Sequence, residues 1–348
     1  MLMRAAIEVA EATRPHPNPR VGAVVVDPEG RVTARRAHER PGEPHAEVLA
    51  LAEAGPTARG GTLVVTLEPC DHHGRTPPCT EAILAAGVER VVVGALDPDP
   101  RVAGAGVARL RAAGVDVVVG VDDVDAEELD PAYFHQRRTG RPLVTSKLAL
   151  TLDGQAAAAD GTSRWITGPE ARRDVHRLRA AHDAVVVGAG TLREDDPRLD
   201  VRLETFTGPQ PLAVVVAGDR PLPSEARLWA RDEVLVVGVD KHDEVPDHVE
   251  QVLVPGRDRP EPQAVVDVLA DRGVLGILLE GGPTLAGAFL RAGVVDRVVV
   301  YLAPSLGMGT GIPGIAGAFE TLGDRMEGRF RRIVRVGDDV RIELEPAR

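Results

Sequence analysis

Leu67-Glu-Pro-Cys-Asp-His-His-Gly-Arg-Thr-Pro-Pro-Cys-Thr-Glu-Ala82 is the stretch around which the first half of the chain is organised. It contains Cys70 and Cys79, the only two cysteines among 348 residues, between the apolar run 62–67 and a helical pattern. Upstream, His45 and Glu47 open another helical pattern. Two cysteines and a histidine are good zinc ligands, and a catalytic zinc needs three protein ligands and one open position. The glutamate is then free to move protons.

The order His-x-Glu, then Pro-Cys and a second Cys, is typical of zinc-dependent base deaminases, in which the Glu is the general acid and base. Eight residues separate the cysteines here, in place of the usual Cys-x-x-Cys. This longer loop, with His-x-Gly-Arg-Thr-Pro-Pro inside it, resembles the bifunctional riboflavin-biosynthesis deaminase/reductase family. The resemblance implies a Zn2+ site at His45, Cys70 and Cys79, a catalytic Glu47, and Asn18 of the Pro-Asn-Pro segment beside a pyrimidine.

Composition limits the classes of partner. The net charge of −12 offers no basic surface for a polyanion, so we expect no nucleic-acid substrate. The first residues have charges inside their apolar pattern, and no run approaches a membrane span, which predicts a cytoplasmic protein without membrane contact. Both cysteines lie in a metal-type motif, so a disulfide framework is not expected. One disulfide, or two buried thiols, is the alternative.

The apolar patterns predict an α/β fold in two domains. In the first half, strands at 21–27, 62–67, 90–95 and 115–119 alternate with helices at 2–13, 79–86 and 102–113, which indicates βαβ units and a mostly parallel sheet. A boundary falls near Thr139-Gly140-Arg141-Pro142, and a new strand begins at Leu143. We therefore predict a deaminase domain at 1–140 and a reductase domain at 141–348. The resemblance implies a cytidine-deaminase-like three-layer α/β/α fold for the first.

The second half is similar to the reductase domain of the same family, which has a dihydrofolate-reductase-like α/β fold and uses NADPH. The matching segments begin at Lys147, Gly161, Gly188 and Glu280. The resemblance implies two sets of contacts in this domain. The cofactor set is Ala149, Trp165, Thr191, Asp195, Gly281, Gly282, Pro283, Thr284 and Leu285; the substrate set is Lys147, Ser163, Arg179, Leu199, Arg202 and Glu280.

Several of these residues also have a physical interpretation. Gly188 and Gly190, at the end of a predicted strand, permit close backbone approach, and two glycines at a helix N-terminus offer free N–H groups to a pyrophosphate. Arg179 and Arg202 can bind a phosphate through paired N–H donors. Lys147 is a polar contact in the pocket or one half of a salt bridge, and Trp165 packs against a ligand or in the core.

The resemblance implies hydrolytic deamination of 2,5-diamino-6-(5-phosphoribosylamino)pyrimidin-4-one, followed by NADPH-dependent reduction of its ribosyl group to ribityl. It also implies a homodimer formed through the second domain. Two features support an alternative interpretation of the chain's function. They are Ala105, at a position where the family is often basic, and the loop Leu306-Gly307-Met308-Gly309. That alternative is a diverged paralogue acting on a related pyrimidine or pteridine, or a protein with one active domain. A nucleic-acid-editing deaminase and a purely structural zinc protein are the other candidates.

Overall fold

The structure, a computed structural model, describes residues 1–74, 76–204, 206 and 208–347, so that Arg75 of the opening stretch lies outside the described residues. The chain forms two compact units, Met1–Gly140 and Arg141–Arg348. None of the helices in the described part of the chain combines the length and apolar character that crossing a membrane requires.

The first unit alternates strands and helices as the apolar patterns predict. Its elements are, in chain order, α1 (Leu2–Glu11), β1 (Gly22–Val26), β2 (Val32–Ala37), α2 (Ala46–Ala54), β3 (Thr62–Leu67), α3 (Cys79–Ala86), β4 (Arg90–Ala95), α4 (Ala105–Ala112), β5 (Asp116–Val119), α5 (Asp123–Glu128) and α6 (Pro131–Thr139). The helix predicted from Val102 begins three residues later, because residues 101–104 form a turn that includes Gly104 at φ +91°.

The sheet of the first unit is mixed, with the order β2-β1-β3-β4-β5. β1 is antiparallel to both β2 and β3, whereas β3, β4 and β5 are parallel. The prediction of a mostly parallel sheet is therefore wrong for β1. The short turn at 28–30 reverses the chain after β1, and such a tight connection joins antiparallel strands. The α2 crossover then carries the chain from β2 past β1 to β3.

Alternate residues of the central strands face two different cores. Ala23 and Val25 of β1 pack in the cluster that includes residues of α2, α3 and α4. Val24 and Val26 pack on the opposite face, in the cluster that includes residues of α1. Successive side chains of a strand point to opposite faces of the sheet, and both faces are covered here by helices. This is the predicted three-layer α/β/α arrangement.

The second unit is built on a longer sheet. Its elements are β6 (Leu143–Thr151), β7 (Gln155–Ala157), α7 (Pro169–Ala181), β8 (Ala184–Gly188), α8 (Ala189–Asp195), β9 (Leu212–Ala217), β10 (Val234–Gly238), β11 (Glu250–Leu253), α9 (Pro262–Ala270), β12 (Gly276–Leu279), α10 (Pro283–Arg291), β13 (Arg297–Ala303), β14 (Ile312–Pro313), β15 (Gly328–Val336) and β16 (Asp339–Pro346). Short 3-10 turns occupy Gly55–Ala58, Arg227–Ala230 and Leu322–Asp324.

The main sheet has the order β11-β10-β9-β8-β12-β6-β13-β16-β15, and β7 pairs separately with β14. The strands from β11 to β13 are parallel, and β16 and β15 add an antiparallel edge. β8 and β12 are neighbours, so the segments that follow Gly188 and Leu279 start from the same edge of the sheet. The carboxyl ends of parallel strands are where ligands bind in open α/β sheets.

Candidate active sites

The predicted metal ligands lie together between α2, α3 and the end of β3. His45 is the N-cap of α2, with an extended backbone at φ −70° and ψ 164°, and Cys79 is the first residue of α3. The donor atoms of His45, Cys70 and Cys79 all lie within 4.8 Å of one another. His45 Nδ1 lies 3.2 Å from the sulfur of Cys79 and 3.6 Å from that of Cys70. Both cysteines are free thiols, so no disulfide joins them.

The electrostatics of this cluster favours a thiolate. Hydrogen bonds from the Cys79 thiol and the His45 ring lower the pKa of Cys70 to about 4. The pKa of Cys79 is raised, because its thiol bonds to Cys70 and is buried. Imidazole nitrogen and thiolate sulfur are the donors that zinc prefers, and metal binding releases the protons that such ligands hold. The three side chains therefore fit zinc.

Glu47 lies beside the ligands in the first turn of α2. Its side chain is only 3% exposed, and burial raises the pKa of this carboxyl. Its Oε2 atom is buried and has no hydrogen-bond partner among the described residues. His45 and Glu47 face one cavity because His45 precedes the helix and is not part of its regular turn. A buried carboxylate outside the ligand set, with one oxygen free to take a proton, is expected of a catalytic zinc site.

A cavity of about 390 Å3 opens onto His45, Glu47 and Cys70. Asn18 and His38 also line it, and the Asn18 amide nitrogen lies 3.0 Å from His38 Nε2. The other ring nitrogen, Nδ1, lies 3.2 Å from the carbonyl oxygen of Pro44 and must donate to it. Nε2 therefore accepts from the Asn18 amide, which leaves the Asn18 oxygen as the free acceptor.

In the second unit, Glu280 follows β12 and forms a buried cluster of charges. Arg179 of α7 donates to its carboxylate from Nε at 2.6 Å and from Nη2 at 3.0 Å, and Lys147 Nζ lies 3.5 Å away. Burial alone would raise the pKa of Glu280, but the two cations lower it to about 2. Lys147 is thus one partner of a salt bridge. Three residues predicted to bind substrate lie together, and they bind one another.

A second cavity, of about 280 Å3, lies at the ends of β8 and β9. Gly188, Gly190, Thr284 and Leu285 are part of its lining. A Cβ at Gly190 would meet no atom within 4 Å, so the cavity reaches the backbone there. Open space beside a strand end and a helix N-terminus fits an anionic dinucleotide such as NADPH.

Comparisons with known proteins identify the families that the two units resemble. Residues 1–95 match the model of the cytidine and deoxycytidylate deaminase zinc-binding region, and residues 142–340 match that of the RibD C-terminal domain. Riboflavin biosynthesis protein RibD of Escherichia coli is 41% identical, over 98% of this chain and 98% of its own. The chain belongs to the RibD family. Its predicted fold class is thereby confirmed, together with deaminase and reductase activities in riboflavin biosynthesis and the use of zinc and NADPH.

Other members of the RibD family extend the agreement. RibD of Mycobacterium tuberculosis is 43% identical over 94% of this chain and 91% of its own. A Thermotoga maritima structure, of a diaminohydroxyphosphoribosylaminopyrimidine deaminase/5-amino-6-(5-phosphoribosylamino)uracil reductase, has a TM-score of 0.90 and 34% identity, covering 99% of this chain and 98% of that one. RibD of Acinetobacter baumannii has a TM-score of 0.87 and 36% identity, covering 100% and 98%.

The structure distributes the predicted cofactor contacts of this RibD-family chain over several places. Thr284 and Leu285 line the second cavity. Gly281, Gly282 and Pro283 join β12 to α10, and the Gly282 N–H donates to Thr191 Oγ1 at 3.2 Å. The prediction that both glycines offer free N–H groups is therefore wrong for Gly282. Ala149 of β6 pairs with Tyr301 of the neighbouring strand β13, and it is not among the described residues that line this cavity.

Two more predicted contacts, Ser163 and Trp165, lie in the segment before α7, and a third, Asp195, is the last residue of α8. Trp165 is 70% exposed, with the Arg172 guanidinium 4.6 Å from its ring centroid, so the alternative that it packs in the core is wrong. Arg164 joins this segment to Asp195, donating to its backbone oxygen at 2.6 Å. Ser163 is half-buried. These side chains are available to a ligand but are not gathered into one described cavity.

Two predicted substrate contacts differ from expectation. The Leu199 side chain is 1% exposed and packs in the core, so only its backbone, at φ +54°, can meet a substrate. Arg202 is exposed and pairs with Asp200. Arg179, its expected partner on a phosphate, already donates from all three guanidinium nitrogens, to Glu280 and to the Asp200 carbonyl. Arg202 is therefore the more available of the two.

The first cavity contains residues to which the sequence assigns no role. Asp97, Asp99 and Arg101 follow β4 and line it. Burial raises the pKa of Asp97, whereas the Arg101 side chain, bonded to Asp99 at 2.7 Å, lowers the pKa of Asp99 to about 2. Glu68, just before the metal loop, accepts the N–H of Asp97 at 3.3 Å. Polar residues after a parallel strand are the signal that could have identified this group.

Proposed function

We propose that residues 1–140 deaminate 2,5-diamino-6-(5-phosphoribosylamino)pyrimidin-4-one and that residues 141–348 reduce the ribosyl group of the product with NADPH. The observation that carries the proposal is the convergence of His45, Cys70 and Cys79 beside the buried Glu47, whose Oε2 atom has no partner among the described residues, in a cavity large enough for a pyrimidine. The Thermotoga maritima relative, which is named for these two activities, supports the choice of substrate.

In the deamination, His45, Cys70 and Cys79 hold zinc. Bound zinc supplies a Lewis acid that makes a water nucleophilic near neutral pH. Glu47 takes a proton from the attacking water, delivers it to the ring nitrogen and protonates the departing amine, so that water enters and ammonia leaves. The raised pKa of Glu47, a consequence of its burial, suits a group that must both accept and return a proton.

The pyrimidine is oriented by the rim of the cavity. The Asn18 oxygen, left free by the His38 hydrogen bond, accepts an N–H of the substrate. Asp97 and Asp99 line the same space, but their carboxylates are already bonded to Tyr133 and to Arg101. A diamino-pyrimidine presents several N–H donors, so the free oxygens of Asn18 and Glu47 are complementary to it.

In the reduction, the second unit aligns cofactor and substrate across the ends of β8 and β12. NADPH, when bound, would supply the hydride that reduces the opened ribosyl group, and a proton taken up from solvent would complete the reduction. The N-terminus of α10, at Thr284 and Leu285, holds the pyrophosphate. Glu280 and Lys147 contact the sugar, and Arg202, which shares Asp200 as a partner with Arg179, binds the substrate phosphate. The remaining predicted contacts, Ser163, Trp165, Thr191 and Asp195, complete the two binding surfaces.

Assembly and location follow from two further features. β15 is an edge strand on which Phe330 and Ile333 are 61% and 57% exposed, and exposed apolar edges favour pairing with another chain. We infer a homodimer formed through this edge, which light scattering tests, with Ile333→Glu as the variant expected to be monomeric.

Two free thiols at a metal site require a reducing compartment, which supports a cytoplasmic location.

The experiment supplies the purified, zinc-loaded protein with the diaminopyrimidine ribosylamine phosphate, with and without NADPH. Ammonia release and nicotinamide absorbance are followed together. We expect ammonia without NADPH, and NADPH oxidation only after ammonia has appeared. Ammonia without any later NADPH oxidation would contradict the reductase half of the proposal. Neither signal, with zinc bound, would favour a diverged paralogue with another pyrimidine or pteridine as substrate.

A further inference from the structure

The Glu68 side chain joins the segment that carries Cys70 to the start of α4. Glu68 is buried, with only 3% of its surface exposed. Its Oε2 atom accepts the backbone N–H of Gly104 at 2.9 Å and that of Asp97 at 3.3 Å, and its Oε1 atom accepts that of Val107 at 3.2 Å. The three donors lie 29 to 39 positions further along the chain. A single carboxylate therefore holds two distant segments together through three hydrogen bonds.

These bonds satisfy the N-terminus of α4, which cannot satisfy itself. Gly104 is the N-cap of this helix and has no side chain to offer, although the N–H of Val107, in the first turn, needs a partner outside the helix. Glu68 supplies that partner from another segment, and a carboxylate is favoured at a helix N-terminus. Without this carboxylate, buried N–H groups would have no acceptor, so the contact is strongly preferred.

The same two segments also pack backbone against backbone. A Cβ added at Gly106 would lie 1.9 Å from the carbonyl oxygen of Pro69, so α4 can approach this closely only because residue 106 is glycine. Pro69 is the one residue between Glu68 and Cys70. The position of α4 therefore fixes the backbone immediately before the cysteine.

Cys70 depends on such support more than the other two predicted ligands do. His45 is the N-cap of α2 and Cys79 is the first residue of α3, so a helix places each of them. Cys70 lies outside any helix or strand. Its carbonyl oxygen accepts the Thr80 N–H at 3.3 Å, which ties it to α3, and the bonds of Glu68 tie the preceding residues to α4.

We infer that Glu68 is a positioning residue for the deaminase metal site: its carboxylate fixes the backbone of Cys70, and thereby keeps the sulfur in reach of the zinc that His45 and Cys79 also bind. Groups that hold metal ligands in place typically contribute about ten- to a hundredfold to metal affinity. This inference rests on the proposed zinc site, but it concerns the affinity for the metal and not the choice of pyrimidine.

The test compares Glu68→Gln with the wild type, both as full-length proteins. Glutamine has nearly the same shape, but an NH2 group replaces one of the two acceptor oxygens and cannot accept a backbone N–H. Zinc affinity is measured by competition with a chromophoric chelator. The absorption spectrum of the cobalt(II)-loaded proteins reports whether the geometry of the ligands has changed.

Asp27→Asn is the matched control. Asp27 is also a buried carboxylate of the first unit, 5% exposed, and it accepts the backbone N–H of Arg31 at 2.8 Å. Within the described residues, its side chain bonds only inside the turn 27–31. This variant should therefore lose stability without any effect on the metal.

We expect Glu68→Gln to bind zinc about ten- to a hundredfold more weakly and to alter the cobalt spectrum. Asp27→Asn should match the wild type in both measurements, although circular dichroism of the metal-free proteins should show a lowered melting temperature for both variants. Glu68→Asp, whose shorter side chain cannot reach all three donors, should fold and show an intermediate zinc affinity.

Wild-type zinc affinity in a folded Glu68→Gln, or an equal loss of affinity in Asp27→Asn, would overturn the inference. Unfolding of both Glu68 variants would overturn it as well, because the loss of zinc would then follow from the loss of the fold. Weaker zinc binding by Glu68→Gln, with a wild type that binds zinc but releases no ammonia, would contradict only the proposed deamination. A wild type that binds no zinc would overturn both.

Discussion

His38 orients Asn18: its ring donates to the Pro44 carbonyl through Nδ1 and accepts the Asn18 amide through Nε2, at 3.0 Å. The neutral state of the ring is favoured because burial lowers the pKa of His38. An amide can turn over and exchange its donor and acceptor ends, and this contact selects one end for the cavity. A residue twenty positions away in the chain thus decides what Asn18 offers to a substrate.

Removal of the ring should therefore impair substrate binding more than chemistry. We expect His38→Ala to raise the KM of the deamination about tenfold, the worth of one partly buried hydrogen bond, with a smaller change in kcat. Steady-state ammonia release measures both constants. His38→Gln, which retains an acceptor, should recover part of the loss. Zinc content must stay at the wild-type level, because the rings of His38 and His45 are in contact at 5.1 Å between centroids.

Glu47→Gln should abolish deamination without releasing the metal. The amide has nearly the same shape but cannot accept and return a proton, so we expect a fall in kcat of at least about a hundredfold. Zinc per chain, measured by metal analysis, should match the wild type. Reduction of the separately supplied deaminated substrate is the internal control and should be unchanged. Substantial ammonia release by a zinc-loaded Glu47→Gln would show that another group moves the protons.

Chelation should separate the two activities. Removal of zinc takes the Lewis acid from the first unit, while no metal site is predicted in the second. We expect ammonia release to stop and NADPH oxidation with the deaminated substrate to continue. Two thiols should become titratable by a disulfide reagent, and added zinc should protect them again. Cys79→Ser is the matched variant, and it should bind zinc more weakly. Loss of both activities on chelation would contradict this separation.

The buried pair of Arg179 and Glu280 should contribute to stability as well as to binding. Arg179→Ala leaves a buried carboxylate with only Lys147 beside it, which should lower the free energy of unfolding by about 3 kcal/mol at pH 7. Both tryptophans of the chain, Trp165 and Trp229, lie in the second unit, so their fluorescence in urea follows its unfolding. Arg177→Ala, on the same helix with its side chain 65% exposed, is the control and should cost below about 1 kcal/mol.

The same pair predicts a pH dependence. The folded-state pKa of Glu280 is about 2, below its ordinary value of 4.5, so its contribution is fully present above pH 4.5 and is lost as the pH falls towards 2. In Arg179→Ala the carboxyl can protonate more readily, and the difference from the wild type should shrink over that range. A difference that stays constant from pH 7 to pH 3 would mean that the ion pair does not cause it.

The sequence predicts local elements well where one type of residue dominates. The bounds of β3 and β4 agree with prediction, because valine-rich runs bounded by glycine, proline or polar residues favour strands. The bounds of α3 agree as well, because Pro78 and Gly87 mark its two ends. β2 is not predicted, since Arg35 and Arg36 interrupt its apolar pattern. α8 is not predicted either: Gly188-Ala189-Gly190 resembles a turn, but the chain continues there into a helix against β8 and β9. Tertiary packing overrides a weak local preference in both cases.

By itself, the sequence determined the chemistry: a histidine and two cysteines with a glutamate beside them, two successive α/β patterns, and the motifs of the RibD family. Those features are local, because residue type and short spacing decide which donors a segment can offer. The tertiary structure alone decided which donors meet. Glu280 pairs with Arg179 across 101 positions, and His38 selects the orientation of Asn18. Burial and charge pairing depend on contacts between segments that are distant in the chain. Such contacts cannot be inferred from the residue pattern of one short segment.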